Sequence, residues 1–153
     1  MTTRPLRVLA VDDDPLNRTL VRAILARAGE PLRGTELDEA RTIAEARGAL
    51  ARGSFDLVLL DIHLPDGLGL ELATELGARP RPDRPAIVAL TASVLPAEQQ
   101  AAIDAGCDAF LAKPFQPEAL IDVIRSFTTD ARADGEPAAA ELRPSPGPRP
   151  SVQ

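Results

Sequence analysis

Asp12 and Asp13 close the apolar run RVLAV, Asp61 closes FDLVLL, Thr91 closes AIVAL and Lys113 closes AFLA. Three carboxylates, one hydroxyl and one ammonium could do chemistry together if these four runs end at one point in space. Two carboxylates about 4 Å apart repel by roughly 4 kcal/mol at an effective dielectric of 20, so such a cluster wants a cation. Hard oxygen ligands select Mg²⁺, held by one or two carboxylates with water and phosphate oxygens. A carboxylate in that setting can attack a phosphoryl group and become an aspartyl-phosphate. Asp61, at the end of a central run, is the acceptor in this reading, and Asp12 and Asp13 hold the metal. Lys113 neutralises the transferring oxygens, and the Thr91 hydroxyl donates to a phosphoryl oxygen once one is in place. Each residue alone has a plainer reading: Asp and Thr cap helices and line turns, and Lys decorates loops. Lys113 carries one further mark. Of the 17 basic residues it is the sole lysine, the rest being arginine.

Convergence depends on the elements that carry these residues. Arg7–Val11 is a short apolar, β-branched run, hence a buried strand. Asp14-Pro15 pairs a helix N-cap with proline at the first helical position. Leu20, Val21, Ile24 and Leu25 follow at helical spacing, with Gly29 expected to end the helix in the left-handed conformation. A short strand is expected near Thr35–Leu37, and a second helix over Ala40–Arg52 with Ile43, Ala46 and Leu50 on one face. Phe55–Leu60 shows no alternation, as befits a strand buried on both faces. Leu64-Pro65-Asp66-Gly67 is turn chemistry. Leu68–Leu76 forms a third helix, and Arg79–Pro85 a solvated loop. Ala86–Leu90 is a fourth strand, and Pro96–Ala105 a fourth helix stopped at Gly106. Ala109–Ala112 is the last strand, and Pro117–Phe127 the fifth helix. This alternation predicts an α/β fold: a doubly wound, five-stranded parallel sheet with helices on both faces. Ligands of such open sheets bind outside the carboxyl ends of the strands, where all five residues fall.

Composition narrows the classes. The chain is the size of one domain with room for a tail. Residues 1–127 are expected to form that domain. Residues 128–153 hold five prolines and only Leu142 and Val152 as large aliphatics, too little to offset ordering entropy, so a disordered tail is expected. A net charge of −6 argues against binding nucleic acid or an anionic membrane. Absence of Trp and Tyr removes stacking platforms for single strands. One cysteine, Cys107, excludes an internal disulfide and a Cys-rich zinc site, and fits the reducing cytoplasm. No run approaches 18 apolar residues, and the six residues before the first apolar run leave no room for a signal peptide.

VDDDPLNR, LLDIHLPDG, ALTAS and FLAKPF, in that order, resemble the receiver domain of two-component response regulators, the CheY-like (flavodoxin-like) superfamily. The resemblance covers about residues 6–127. It implies that Asp61 is the phosphorylated aspartate. It implies side-chain metal ligation by Asp13 and Asp61, with Asp12 acting mainly through water and the backbone carbonyl of His63 completing the Mg²⁺ site. It makes Thr91 the switch hydroxyl, Phe110 the switch aromatic and Lys113 the phosphoryl-binding ammonium. It also implies a cis Lys113-Pro114 peptide, a switching surface on the fourth and fifth helices with the last strand, and a histidine kinase or phosphotransfer protein as donor.

This sequence departs from the pattern in places. The switch aromatic is Phe110 in place of the frequent Tyr, and Gly34–Glu39 is more polar than a second receiver strand usually is. His63, the sole histidine, flanks the site with its side chain. A haloacid-dehalogenase-type phosphatase is a rival, with Asp12, Asp14, Thr91 and Lys113 in its roles. Leu16 stands where that family has Thr or Val, no acidic pair follows Lys113, and Asp61 is left idle. A pseudo-receiver would lack a key residue, whereas all are present. Gly67-Leu68-Gly69 lacks the third glycine of a dinucleotide site. No helix-turn-helix, zinc ligands or basic stripe follow the fifth helix. The expectation is a single-domain regulator, not a turnover enzyme, acting through a protein target. The alternative is a receiver detached from a hybrid sensor kinase.

Overall fold

The computed structural model describes residues 5–29, 32–80, 84–92 and 95–132, the last five as backbone alone. The elements run β1 (Arg7–Val11), α1 (Pro15–Arg27), β2 (Glu36–Ala40), α2 (Ile43–Arg52), β3 (Leu57–Asp61), β4 (His63–Leu64), β5 (Gly67–Leu68), α3 (Gly69–Gly77), β6 (Ala86–Thr91), α4 (Pro96–Asp104), β7 (Ala109–Ala112) and α5 (Pro117–Arg132). Five strands form one parallel sheet in the order β2-β1-β3-β6-β7. β4 and β5 form a small antiparallel hairpin of their own. The expected doubly wound α/β sheet is therefore present.

The all-apolar strands explain the layering. Successive side chains of a strand point to opposite faces. On one face, Leu9, Val11, Val58, Leu60, Ile87 and Ala89 pack with Ala46 and Leu50 of α2, Leu72 and Leu76 of α3 and Ala102 of α4. On the other, Val8, Ala10, Leu57, Leu59, Val88 and Leu90 pack with Val21, Ile24 and Leu25 of α1 and Leu120 and Ile124 of α5. A strand between two helical layers has no wet face, so it cannot alternate.

Helix starts follow their cap chemistry. Asp14 accepts the Leu16 N–H ahead of Pro15, and Thr42 accepts the Glu45 N–H at the start of α2.

Several boundaries differ from those expected. α1 ends at Arg27 with Ala28 extended, and Gly29 is not left-handed; among the described residues the positive-φ glycines are Gly34, Gly67 and Gly106. The second strand runs Glu36–Ala40, so Ala40 belongs to it and α2 begins at Ile43. Its polarity hid it, and the structure supplies the reason. β2 is an edge strand whose acids are paired, Glu36 and Asp38 with Arg7, and Glu39 with Arg18 and Arg22. α5 runs to Arg132, five residues past the expected Phe127. Most of the expected tail, residues 133–153, lies outside the described residues, as does part of the Arg79–Pro85 loop. Among the described residues no helix is long and apolar enough to cross a membrane.

Candidate functional site at the carboxyl edge of the sheet

Strand register brings the five residues to one edge. Val11 lies opposite Leu60, so Asp12 and Asp61 each stand one residue beyond a paired rung. Asp61 lies opposite Leu90, Thr91 opposite Ala112, and Lys113 follows, its N–H donating to the Thr91 carbonyl at 2.8 Å. Chain order reverses between β1 and β3, where the sheet order passes from β2-β1 to β3-β6. Helices leave in opposite directions there and open a crevice. Asp12 and Asp61 close the two strands that flank it.

The carboxylates of Asp12, Asp13 and Asp61 offer oxygens that all lie within 4.8 Å of one another. Asp12 and Asp61 are buried, at 2% and 5% exposure, while Asp13 is exposed. Lys113 Nζ donates to Asp61 Oδ2 at 3.2 Å and lies 3.6 Å from Asp12 Oδ2. Asp12 Oδ1 accepts the Asp14 N–H at 2.9 Å. Asp12 Oδ2 is buried and has no hydrogen-bond partner among the described residues; at 3.6 Å the Lys113 contact is an ion pair only. Burial pushes the Asp61 carboxyl above its ordinary range, and the Asp12 charge pushes the same way. The Lys113 ammonium and the His63 N–H pull it back.

An orphaned carboxylate oxygen, a raised neighbouring carboxyl and three hard oxygen donors fit a small divalent cation such as Mg²⁺. Asp12, Asp13 and Asp61 are the side chains that would hold it. Such an ion, when bound, would offset the charge of the acid cluster.

The other expected residues are placed as follows. Thr91 is buried at 6% exposure. Phe110 is half-buried and packs against the core on the α2, α3 and α4 side of the sheet. His63 opens the hairpin with its side chain exposed, and its N–H donates to Asp61 Oδ1 at 3.2 Å. The Lys113-Pro114 peptide is cis. Asp14 is used as a cap, which withdraws it from the cluster.

Three positions around the site escaped the reading of the sequence. Gly69 N–H donates to the Ile62 carbonyl at 2.6 Å, and a Cβ there would sit 2.2 Å from the Asp61 carbonyl oxygen. The backbone behind Asp61 therefore leaves room only for hydrogen. Asp66, read as a turn residue, accepts the Ile43 and Ala44 N–H groups at 2.9 and 3.1 Å, so the hairpin caps α2 from afar. These hydrogen bonds hold its carboxyl below the ordinary range. Arg18 donates to the Asp12 carbonyl at 2.8 Å. The sequence carried one signal for these: Gly69, Asp66 and Arg18 all lie in or beside the motifs around Asp12 and Asp61.

Residues 8–125 match the family model of the response regulator receiver domain. The chain thus belongs to the receiver domains of two-component signalling. It is 42% identical over 123 residues to the aerobic respiration control sensor protein ArcB of Escherichia coli (strain K12), covering 80% of this chain but 15% of that protein. It is 36% identical over 129 residues to the two-component response regulator ORR41 of Oryza sativa subsp. japonica, covering 83% of this chain and 98% of that protein. Among solved structures, it is similar to the receiver domain of sensor histidine kinase PA1611 from Pseudomonas aeruginosa PAO1, which has a magnesium ion coordinated in its active-site cleft. The TM-score is 0.71 at 27% identity, over 82% of this chain and 99% of that one.

Proposed function

We propose that this chain accepts a phosphoryl group on Asp61, from a histidine kinase or a histidine phosphotransfer protein, and passes the change to a protein target. The observation that carries this is the meeting of Asp12, Asp13 and Lys113 around the buried Asp61. An Asp61 carboxylate oxygen bonds to phosphorus as the phosphorus–nitrogen bond of the donor phosphohistidine breaks, and its electron pair leaves on the imidazole. Lys113 offsets charge on the arriving oxygens. Asp12 and Asp13, with Asp61 and the His63 carbonyl, would hold Mg²⁺. Chemistry ends on the chain's own aspartate and its hydrolysis, so no small substrate is turned over. The cap role of Asp14 weighs against the phosphatase alternative, which needs that carboxylate in the site.

The new charge then draws on Thr91 and Lys113. Half-buried Phe110 then repacks, and the face of α4, β7 and α5 changes shape. Net charge of −6 favours a protein target over nucleic acid, in the cytoplasm. ORR41, matched over nearly its whole length, supports a single-domain regulator. ArcB, matched over a small part, supports a receiver working within a hybrid kinase system. Incubation with Mg²⁺ and acetyl phosphate should add one phosphate, labile to hydroxylamine. Labelling of Asp61→Asn as strong as that of the natural chain would overturn the assignment. Phosphotransfer profiling against purified kinases and phosphotransfer proteins separates the two settings.

A further inference from the structure

Asp12 is held through its backbone as well as its carboxylate. Its N–H donates to the Ala40 carbonyl at 2.9 Å, which ties it to the end of β2. Its carbonyl accepts from Arg18 Nη1 at 2.8 Å. The same guanidinium donates through Nε to Glu39 Oε1 at 3.1 Å, and Glu39 is the β2 residue just before Ala40. Arg18 is only 15% exposed, whereas Arg22, which also pairs with Glu39, is 56% exposed and touches no part of Asp12 in the described contacts. One planar fork thus spans an acidic edge strand and the carbonyl between Asp12 and Asp13. The two bonds of Asp12, one to each side, fix the peptide planes from which both carboxylates project.

We propose that Arg18 is a positioning residue for the metal site: bridged to Glu39, it locks the Asp12–Asp13 loop in the geometry that binds Mg²⁺. This rests on reading Asp12 and Asp13 as metal ligands. A guanidinium suits the task because its donors diverge in fixed directions within one plane, so one side chain reaches two acceptors at once. A lysine ammonium is a compact charge on a flexible stem, and it can serve one acceptor or the other. Partners that orient metal ligands typically change metal affinity by 10–100-fold when removed.

Charge alone predicts the opposite sign, which makes the idea testable. Arg18 is a cation near a cation site, so deleting its charge without moving the ligands should tighten Mg²⁺ binding. The experiment is calorimetric titration of the full chain with Mg²⁺, alongside metal-free melting, for the natural chain, Arg18→Gln, Arg18→Lys and Arg22→Gln. The expected result is Mg²⁺ binding weakened about tenfold in both Arg18 variants, and equal or slightly tighter binding in Arg22→Gln. Arg18→Gln binding as tightly as the natural chain overturns the clamp while leaving the metal site standing. So does Arg18→Lys at natural affinity, since the fork would then be dispensable, or Arg22→Gln weakened as much as Arg18→Gln. Loss of fold in both Arg18 variants also overturns it, because the contact would then hold the domain and not the ligands. No Mg²⁺ binding by the natural chain overturns the clamp and the site together.

Discussion

Lys113 Nζ lies 3.2 Å from Asp61 Oδ2 although 52 residues separate them along the chain. The long stem closes the distance: Lys113 lies beyond the end of β7, one rung past the residue opposite Thr91, and its head folds back onto the end of β3. The ammonium is therefore already seated against the carboxylate that would receive the phosphoryl group. Arg at this place would bring a broader, planar head that asks for a fork-shaped acceptor. Lys113→Arg is expected to fold, bind Mg²⁺ and accept phosphate slowly. With beryllofluoride, an aspartyl-phosphate mimic, its amide spectrum should show smaller shifts around Thr91 and Phe110 than the natural chain does. Full-sized shifts would reduce Lys113 to a nearby charge.

Asp61→Asn should raise the melting temperature in metal-free buffer at neutral pH. Burial, the largest cause, lifts the Asp61 carboxyl above its ordinary value of 3.8. A raised carboxyl binds protons in the folded chain that the unfolded chain releases, so it lowers stability as pH rises through the folded value. Stability returns as pH falls from there toward 3.8, and below that value the effect is gone. Asparagine removes the penalty at neutral pH, at roughly 2–4 °C per kcal/mol relieved in a chain of this size. Mg²⁺ at a hundredfold excess over its Kd should stabilise the natural chain by about 2.7 kcal/mol, and Asp61→Asn by much less. Exposed Asp13 stores less repulsion than its buried neighbours, so Asp13→Asn should abolish the Mg²⁺ response with little gain in metal-free stability. Thermal melts with and without Mg²⁺ across a pH series check all three statements.

The same substitution at two glycines should have opposite signs. At Gly48, within α2, a Cβ would meet only the mobile end of Arg52 at 3.2 Å. There Gly→Ala should stabilise by about 0.5–1 kcal/mol through helix propensity. At Gly69, opening α3, a Cβ would strike the Asp61 backbone carbonyl at 2.2 Å. Backbone cannot step aside as a flexible side chain can, so Gly69→Ala should destabilise by about 1–3 kcal/mol or more and slow phosphorylation of Asp61. Urea midpoints of the two variants decide it; a neutral Gly69→Ala would mean the strand end yields.

Asp66 should make the start of α2 acid-sensitive. The Ile43 and Ala44 N–H groups hold its carboxyl below the ordinary value of 3.8. A depressed carboxyl contributes stability that is present above that value and is lost as pH falls through the lower folded one. Hydrogen exchange at the Ile43 and Ala44 amides should accelerate in Asp66→Ala at neutral pH, while the Leu16 amide, capped by Asp14, should be unaffected. Equal protection in both forms would show that the hairpin does not cap the helix.

The strands and the site edge were legible in the sequence because one physical rule governs both. A strand covered by helices on two faces must be apolar throughout, so its first polar residue marks its end. In a parallel sheet with helical returns, every such end falls on the same side, which places Asp12, Asp61, Thr91 and Lys113 together without any contact being known. Local pattern marked Asp14 as a helix cap through Pro15, but it could not assign the acids whose partners are distant. Asp12, Asp66 and Glu39 look alike in sequence, yet Asp12 faces Lys113 in the crevice with one oxygen lacking a hydrogen bond, Asp66 caps a helix and Glu39 holds two arginines. Their partners Lys113, Ile43 and Arg18 lie far along the chain, and only the folded chain selects them. β2 was blurred for the same reason, since its charges are acceptable only beside Arg7, Arg18 and Arg22. Gly69 was invisible because steric room belongs to the neighbour across the gap, here the carbonyl of Asp61, and no one-dimensional pattern records it.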